Sequence, residues 1–514
     1  MKTIIKEILN NNRSLDSEIV GLPDIGKRLD GKQFSKKTRT IANAINFVSK
    51  GTKEMEKTIM HDFPKYSFAS GNPLKFKPFK HSINAMKKSI KSKNIYEYPT
   101  SSGDEKDREI IIKYLIKEGF INSNPYKSSK LIGNGLSTDN VAFTISTTQA
   151  FSLILDIILK PYDVIIIPGP NYSLFTFSAE RINSSVEIID LSEEDNWLIN
   201  PELLAFKIDE INKRLRKKYK TNKKLSYIPR VKAFLNCNPS NPTGKVLSNK
   251  NIDILKQLSK IANEKEIFII DDMVYRDICY DRKNIAKPMA TLAENFENTI
   301  TLLGLSKSYG LASIRAGIVV ADEIVIRELR NKIFQQMDSL PNIQISALTG
   351  AFNSRERRYK YYERYFSKIR KEYIYRYDII LALINGIDSV KNKKNKTKIK
   401  RLVSKVIPDT DCSKILKNGI VGLKLANNME PEAGFFTLVD FTELKGKKYD
   451  YIIINNDRDL LEFFYYSMRV KFLIGSSFSF PNDDKLVGRI TFALEPLELV
   501  KSFYAIYKAT LLLK

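Results

Sequence analysis

From about residue 141 onward, short apolar runs alternate with segments whose hydrophobic positions recur at helical spacing. The runs are rich in Val, Ile and Leu and are largely apolar on both faces, which is typical of buried strands. Strands buried on both faces occur in mainly parallel sheets, because the crossover helices cover each side of such a sheet. The pattern therefore predicts an α/β fold with a mainly parallel central sheet. The runs that we assign to it are Val164–Ile167, Val231–Leu235, Ile267–Ile270, Ile300–Leu303 and Ile318–Val320.

The remaining segments predict an N-terminal leader and a smaller second domain. Residues 1–60 are polar and mixed, and they show no sustained period. Residues 61–355 would form the large domain, with their N-terminal segment contributing to the small domain, and residues 356–514 would form a smaller C-terminal α+β domain. Helices are predicted at 105–118 and at 354–384, and the second of these would join the two domains.

Two lysine-rich stretches interrupt the pattern, at Lys213–Lys232 and at Lys391–Lys405. We interpret both as surface insertions or solvated helices outside the core, the second within an insertion near 391–430. The whole chain has 84 Lys and Arg against 58 Asp and Glu, a formal net charge of +26. A nucleic-acid partner could explain such a charge. Because the excess is spread over many segments, a Lys/Asn/Ile-rich composition is the favoured explanation.

Composition excludes several classes of protein. The chain has 514 residues, of which 43% are hydrophobic, so it can bury a large core and is not a disordered protein. No apolar stretch is long enough to span a membrane, and the N-terminus does not have the pattern of a secretory signal. With three cysteines and two histidines, a zinc site or a Ser-His-Asp hydrolase is not expected. We therefore expect no metal and a cytoplasmic location, where thiols stay reduced.

Polar residues follow the predicted strands, at the edge where open α/β sheets bind ligands. Ser146, Thr147 and Thr148 precede a helix expected to start near Gln149, and a helix N-terminus suits a phosphate. Asn241 lies in a rigid Asn-Pro-Ser-Asn-Pro-Thr-Gly turn at 238–244. Further polar residues after strands are Tyr172, Asp272, Tyr275, Ser306, Lys307 and Arg315.

Taken singly, each of these residues has an ordinary structural explanation, as a helix cap, a packed ring or a solvated lysine. Their order and spacing are more specific. The chain carries Asn-Pro-x-Asn-Pro-Thr-Gly, then Asp-x-x-Tyr, then Ser-Lys-x-x-Gly-Leu-x-x-x-Arg-x-Gly. Over roughly residues 65–510 it resembles the class I/II aminotransferases, which are fold type I enzymes dependent on pyridoxal 5'-phosphate (PLP).

The resemblance implies a set of residues that hold the cofactor. Lys307 would bind PLP covalently and move a proton during catalysis. Asp272 would pair with the protonated pyridine nitrogen, which keeps the ring an electron acceptor. The other cofactor residues fall into three groups. Tyr275 and Asn241 would bind the phenolic oxygen, Tyr172 would stack on the ring, and Ser146, Thr147, Thr148, Ser306 and Arg315 would bind the phosphate.

The resemblance also implies substrate and dimer contacts. Arg489, in the segment GSSFSFPNDDKLVGRITFAL, would bind the substrate carboxylate. Gly71 and Asn72, in ASGNP, match the loop that closes over the substrate. Tyr98, in YPTSSG, matches a tyrosine that reaches across a homodimer to the phosphate. One position departs from many relatives, which carry a serine where this chain has Gly304, so one phosphate hydroxyl is expected to be missing.

The implied activity is transfer of an amino group between an α-amino acid and a 2-oxo acid. Two alternatives remain open at this point. A PLP-dependent lyase or cyclase of specialised amino-acid metabolism would carry nearly the same motifs. A basic PLP-fold regulator that binds nucleic acid is disfavoured, because residues 1–60 contain no evident helix-turn-helix segment. The sequence does not identify the amino acid that is used.

Overall fold

The computed structural model describes residues 65–514 except 74–75, 183, 221–224, 293, 354–355, 427–429 and 483. The predicted leader, 1–60, lies outside the described residues. The strands are, in chain order, β1 (Tyr66–Ser67), β2 (Val141–Thr144), β3 (Val164–Gly169), β4 (Ser185–Asp190), β5 (Val231–Cys237), β6 (Phe268–Asp272), β7 (Thr299–Gly304), β8 (Gly317–Val320), β9 (Lys424–Leu425), β10 (Phe436–Asp440), β11 (Lys448–Tyr449), β12 (Ile452–Ile453), β13 (Val470–Lys471), β14 (Leu473–Ile474) and β15 (Val487–Thr491).

A seven-stranded sheet with the order β2-β8-β7-β6-β5-β3-β4 forms the centre of the fold. Strand β8 is antiparallel to both of its neighbours, and the other adjacent pairs are parallel. Strands β2, β7 and β8 are buried along their whole length, as their unbroken apolar or small residues require. The prediction of a mainly parallel sheet is therefore confirmed.

Helices cover both faces of this sheet. The helices are α1 (Lys80–Ile90), α2 (Glu105–Lys117), α3 (Ser146–Ile158), α4 (Leu174–Glu180), α5 (Pro201–Tyr219), α6 (Ile252–Lys265), α7 (Glu323–Met337), α8 (Asn342–Ala351), α9 (Glu356–Asn385), α10 (Lys393–Ser404), α11 (Asp409–Asn418), α12 (Asp457–Met468) and α13 (Pro496–Thr510). Because side chains alternate along a strand, Ile166 of β3 packs in one core with α5 and α6. Ile165 and Ile167 pack in another core with α3 and α7.

A second, antiparallel sheet with the order β14-β15-β10-β9 lies in the C-terminal part of the chain. The N-terminal strand β1 pairs with β13, with Tyr66 opposite Val470, so the start of the described chain joins the C-terminal part. The long helix α9 agrees with the predicted helix at 354–384. The domain boundaries themselves stay a prediction. None of the helices formed by the described residues is both long and apolar enough to span a membrane.

The lysine-rich stretches differ in part from the expectation. Residues 213–219 form the last turns of α5, with Leu215 buried. Within the second stretch, α10 buries Ile399 and Val403 completely while its lysines face outward. These two residues are four apart, so they share one face of the helix. The second stretch is thus a helix whose lysines are solvated, as predicted, and whose apolar face packs against the core, which the prediction did not include.

Candidate active site

A cavity of about 760 Å³ opens where the large sheet faces the C-terminal antiparallel sheet. Its walls come from the carboxyl ends of parallel strands, from the start of α3 and from β10 and β15. Open α/β sheets bind ligands at such strand ends. The predicted site residues that line the cavity are Gly71, Asn72, Ser146, Thr147, Thr148, Tyr172, Asn241, Asp272, Tyr275, Ser306, Lys307, Arg315 and Arg489.

The first turn of α3 forms one end of the cavity. The helix begins at Ser146 and not near Gln149, whose side-chain oxygen accepts the Ile145 N–H at 2.9 Å. Ser146 has a φ of +85°, a backbone conformation that non-glycine residues rarely adopt. A Cβ at Gly317 would lie 2.8 Å from the carbonyl carbon of Ser146 and 2.9 Å from the Thr147 nitrogen. Glycine at 317 therefore lets the helix start approach β8 closely.

Gly304, where the resemblance leads us to expect a missing hydroxyl, packs against the same helix start. A Cβ at Gly304 would lie 3.0 Å from Cγ2 of Thr147. The methyl group of Thr147 thus occupies the space next to this glycine. A Cβ at 304 would therefore require the Thr147 methyl group to shift by a few tenths of an ångström.

Two consecutive acids end β6 and point to opposite faces of the sheet. Asp271 accepts hydrogen bonds from Nδ2 of Asn236 at 2.8 Å and from the Met289 N–H at 2.9 Å. Asp272 lines the cavity, and its Oδ1 accepts the Val274 N–H at 3.1 Å. Burial raises the pKa of Asp272 to about 6, an effect that the Lys307 cation opposes. Asp272 is thus a buried acid whose ionised form a cation in the cavity would stabilise.

Lys307 follows β7 and projects its amine into the cavity. Its Nζ donates a hydrogen bond to the carbonyl oxygen of Gly71 at 2.7 Å. Burial, together with the nearby Arg489 and Arg315 and against the opposing effect of Asp272, lowers the pKa of Lys307 to about 8. A substantial fraction of the amine is therefore neutral near physiological pH, as nucleophilic and proton-transfer chemistry requires.

Arg489 lies on β15 and is only 4% exposed. Its Nη1 donates to Oδ1 of Asn241 at 3.2 Å, and its Nη2 donates to the carbonyl oxygen of Ala69 at 3.0 Å. The ring centroid of Phe436 lies 4.1 Å from the guanidinium carbon. Burial lowers the pKa of Arg489 to about 10, so the side chain stays cationic at neutral pH.

The tyrosines and Arg315 complete the walls. Tyr275 is buried, and burial raises the pKa of its hydroxyl well above the usual range. Tyr172 is 40% exposed, and its ring meets that of Phe175 edge-on at 5.7 Å. Arg315 has a φ of +56° and donates from Nη1 to the Ala312 carbonyl oxygen at 3.0 Å.

Tyr98 is the one predicted site residue that the cavity of this chain does not include. Its side chain is 87% exposed, and the neighbouring Tyr96 is 89% exposed. Sequence reasoning also missed residues that the cavity does include, among them Ala69, Phe436 and Leu473. Phe436 stands in the apolar run GFFTLVD, where nothing in the sequence separates a cavity ring from a core ring.

Comparison with known proteins places these features in context. A family model described as "Aminotransferase class I and II" matches residues 64–397. The aspartate aminotransferase of Musicola paradisiaca (strain Ech703) is 26% identical over 267 residues, which cover 51% of this chain and 57% of that protein. The aspartate aminotransferase of Pyrococcus abyssi (strain GE5 / Orsay) is 27% identical over 289 residues, which cover 56% of this chain and 64% of that protein. The chain thus spans less than two thirds of the length of these curated relatives.

A solved structure supports the fold over nearly the whole chain. The aspartate aminotransferase from Rhizobium meliloti superposes with a TM-score of 0.65 at 18% sequence identity. The match covers 97% of this chain and 99% of that one. Identity at this level shows a shared fold and no more. The predicted fold class, fold type I with a mainly parallel central sheet, is confirmed.

Proposed function

We propose that this chain, which belongs to the aminotransferase class I and II family, uses PLP to move an amino group between an α-amino acid and a 2-oxo acid. The observation that carries the proposal is the convergence of Lys307, Asp272 and Arg489 on one cavity. Lys307 is an amine of lowered pKa, which suits proton transfer. Asp272 is a buried acid, which suits a protonated ring nitrogen, and Arg489 is a buried guanidinium, which suits a carboxylate.

The end of the cavity at α3 fits a phosphate group. The N–H groups in the first turn of a helix have no intrahelical partner and lie at the positive end of the helix dipole. The close approach of β8 at Gly317 holds this turn at the cavity wall. We propose that Ser146, Thr147 and Thr148 hold the phosphate together with two residues that follow β7, Ser306 and Arg315.

The middle of the cavity fits the ring. When bound, PLP supplies a ring that accepts the electrons released at the substrate Cα while its nitrogen is protonated. Asp272 would keep that nitrogen protonated, because a buried carboxylate is stabilised by a cation in contact with it. Tyr275 and Asn241 would hydrogen-bond the phenolic oxygen, and Tyr172 would cover one face of the ring.

Lys307 would hold the cofactor covalently and carry the proton of the reaction. Its lowered pKa of about 8 leaves Nζ able both to accept a proton from carbon and to return it. In the structure Nζ is held by the Gly71 carbonyl oxygen at 2.7 Å. The segment with Gly71 and Asn72 would therefore have to release the amine when the site is loaded, and we propose that it closes over the substrate.

Arg489 would hold the α-carboxylate of the substrate. Two of its nitrogens are already fixed by Asn241 and by Ala69, which sets the plane of the guanidinium. A planar group that grips a carboxylate at two points prevents rotation of the substrate about its nitrogen. The Cα–H bond then stays aligned for proton removal by Lys307.

We further propose a homodimer in which Tyr98 contributes to the partner's phosphate site. The exposure of Tyr96 and Tyr98, at 89% and 87%, supports a surface that a second copy covers. Sedimentation should show a dimer, and a fully active monomer would contradict this assignment.

All three cysteines, Cys237, Cys279 and Cys412, are free thiols, which supports our proposal of a reducing, cytoplasmic compartment.

The test of the activity is a nitrogen balance. The purified protein, loaded with PLP, is given a ¹⁵N-labelled amino acid and an unlabelled 2-oxo acid. Transamination places the label in the new amino acid and leaves the 2-oxo form of the donor. A lyase would instead release the label as ammonia, and a cyclase would retain it in the product. The last two outcomes would replace the proposed activity with its alternative.

A further inference from the structure

The register of the C-terminal sheet brings Arg489 and Phe436 together. Phe436 of β10 lies opposite Thr491 of β15, and Leu438 lies opposite Arg489. Residues two apart on a strand share a face, so Arg489 and Phe436 are diagonal neighbours on one face of the sheet. Diagonal pairs lie within reach of each other when one side chain is aromatic and the other long.

The guanidinium of Arg489 lies over the ring of Phe436. The guanidinium carbon of Arg489 lies 4.1 Å from the Phe436 ring centroid, well within the range of a cation–π interaction. The hydrogen bonds to Asn241 and Ala69 leave from the edge of the guanidinium, at Nη1 and Nη2. The two hydrogen bonds fix where the group lies, and the ring lies against its central carbon.

Arg489 needs this support because it is a buried cation. It is 4% exposed, and none of the salt bridges among the described residues involves Arg489. A buried charge without an acidic partner is costly unless other groups stabilise it. The partial charges on the ring face do so without offering a carboxylate that would compete with a ligand.

We propose that Phe436 is the positioning residue that holds the guanidinium plane of Arg489 for a substrate carboxylate. This inference rests on the proposed function, in which Arg489 binds that carboxylate. Phe436 does not react and does not replace a hydrogen bond. It keeps the guanidinium from tilting about the two hydrogen bonds at its edge. The remaining N–H groups then keep one orientation towards the cavity.

The experiment compares an amino acid with the amine that lacks its carboxylate. In F436L we expect kcat/KM for the amino acid to fall about tenfold to thirtyfold, the scale of a desolvated cation–π contact. For the decarboxylated amine we expect a change of less than about twofold. F436Y keeps the ring and should restore the amino-acid value. Calorimetry supplies a reading that does not depend on turnover. The probe is 3-phenylpropionate, which has a carboxylate but no amine, and its affinity for F436L should fall by the same factor as kcat/KM for the amino acid.

A matched control removes the same ring elsewhere in the same sheet region. Phe492 directly follows β15 and packs against Tyr373 and Tyr377 of α9, away from Arg489. F492L should lower thermal stability without changing the ratio between amino acid and amine. If F436L slows both substrates equally, or if F492L changes the ratio as much, Phe436 is only a core residue and the inference is overturned.

A reference variant separates the inference from the function on which it depends. R489A should lose selectivity for the carboxylate more severely than F436L. If R489A keeps that selectivity, Arg489 does not bind the carboxylate and the assignment in the proposed function fails. If R489A loses it while F436L and F436Y behave as the unmodified protein, the assignment stands and the positioning role of Phe436 is wrong.

Discussion

The protein holds its positive charges in two contrasting settings. In the cavity, burial lowers the pKa of Lys307 to about 8 and that of Arg489 to about 10. On α10, by contrast, the lysines face solvent while Ile399 and Val403 anchor the helix. Lys396 there forms an ion pair with Asp388 at 2.9 Å, a contact of the kind that contributes little to stability.

The difference shows that the number of positive charges on this chain does not indicate which of them lie in the candidate active site. The chain has a net charge of +26, and water already stabilises the lysines of α10 that contribute to it. The cations to which we assign roles in the reaction follow or occupy strands facing the cavity, where desolvation favours the neutral form of Lys307. The comparison predicts that removing one buried cation matters far more than removing several exposed ones.

The largest effect is expected for Lys307→Ala. Losing both the covalent attachment and the proton carrier should reduce turnover by at least about three decades, near the upper range for general acid–base groups. Borohydride reduction followed by mass spectrometry gives a second reading, because the variant should retain no cofactor covalently. Lys400→Ala on α10 is the control and should behave as the unmodified protein. Retained turnover together with covalent cofactor in Lys307→Ala would refute the site.

Arg489→Ala should have the next largest effect. Truncating one partner of a buried charge pair costs about 2–5 kcal/mol. At about 1.4 kcal/mol per decade, efficiency with an amino acid should fall by about one to four decades. Arg489→Lys should also lose efficiency substantially, because a point charge does not fix the plane of a carboxylate. Steady-state kinetics with the decarboxylated amine provide the control, and an equal loss on both substrates would contradict the role.

Much of this contrast could be predicted from the sequence. Lys307, Asp272 and Asn241 each follow an apolar run, and strands of that kind end at the binding edge of a parallel sheet. Motif spacing then indicated the family. The fold class followed from the same runs, since strands buried on both faces need helices on both sides.

What sequence could not supply depends on packing between distant segments. Phe436 reaches the cavity through its register with β15, which the apolar pattern does not encode. The space beside Gly304 is filled by Thr147, which is far away in the sequence. On α10, high lysine density obscured an apolar pair four residues apart, so the prediction of a surface insertion or solvated helix missed its buried face.

A smaller, pH-dependent effect should separate Lys307 from the surface lysines. Only the neutral amine captures the cofactor, so the capture rate in apo-protein should rise with pH, with its midpoint at a pH of about 8, and level off roughly one unit above that. The increase from about pH 7 to the plateau should be about tenfold. Arg489→Gln should move the midpoint to higher pH, because the Arg489 charge helps to lower the pKa of Lys307. Stopped-flow absorbance measures the rate, and a pH-independent rate would contradict the assignment.

The smallest effect is expected on α10. Replacing Lys394, Lys398 and Lys400 together by Gln should change kcat at saturating substrate by less than about twofold, since exposed substitutions usually shift stability within about 0.5 kcal/mol each. Neutralising lysines at the end of α5 should be equally harmless.

The same helix offers its own control. Ile399 is completely buried, so Ile399→Ala should destabilise the protein by about 2–5 kcal/mol and lower its melting temperature. A helix that tolerates three charge changes but not one apolar truncation is attached through its buried face. If the lysine variant instead lost most of its turnover with its melting temperature unchanged, the exposed charges would take part in catalysis. The separation between buried and exposed cations would then be wrong.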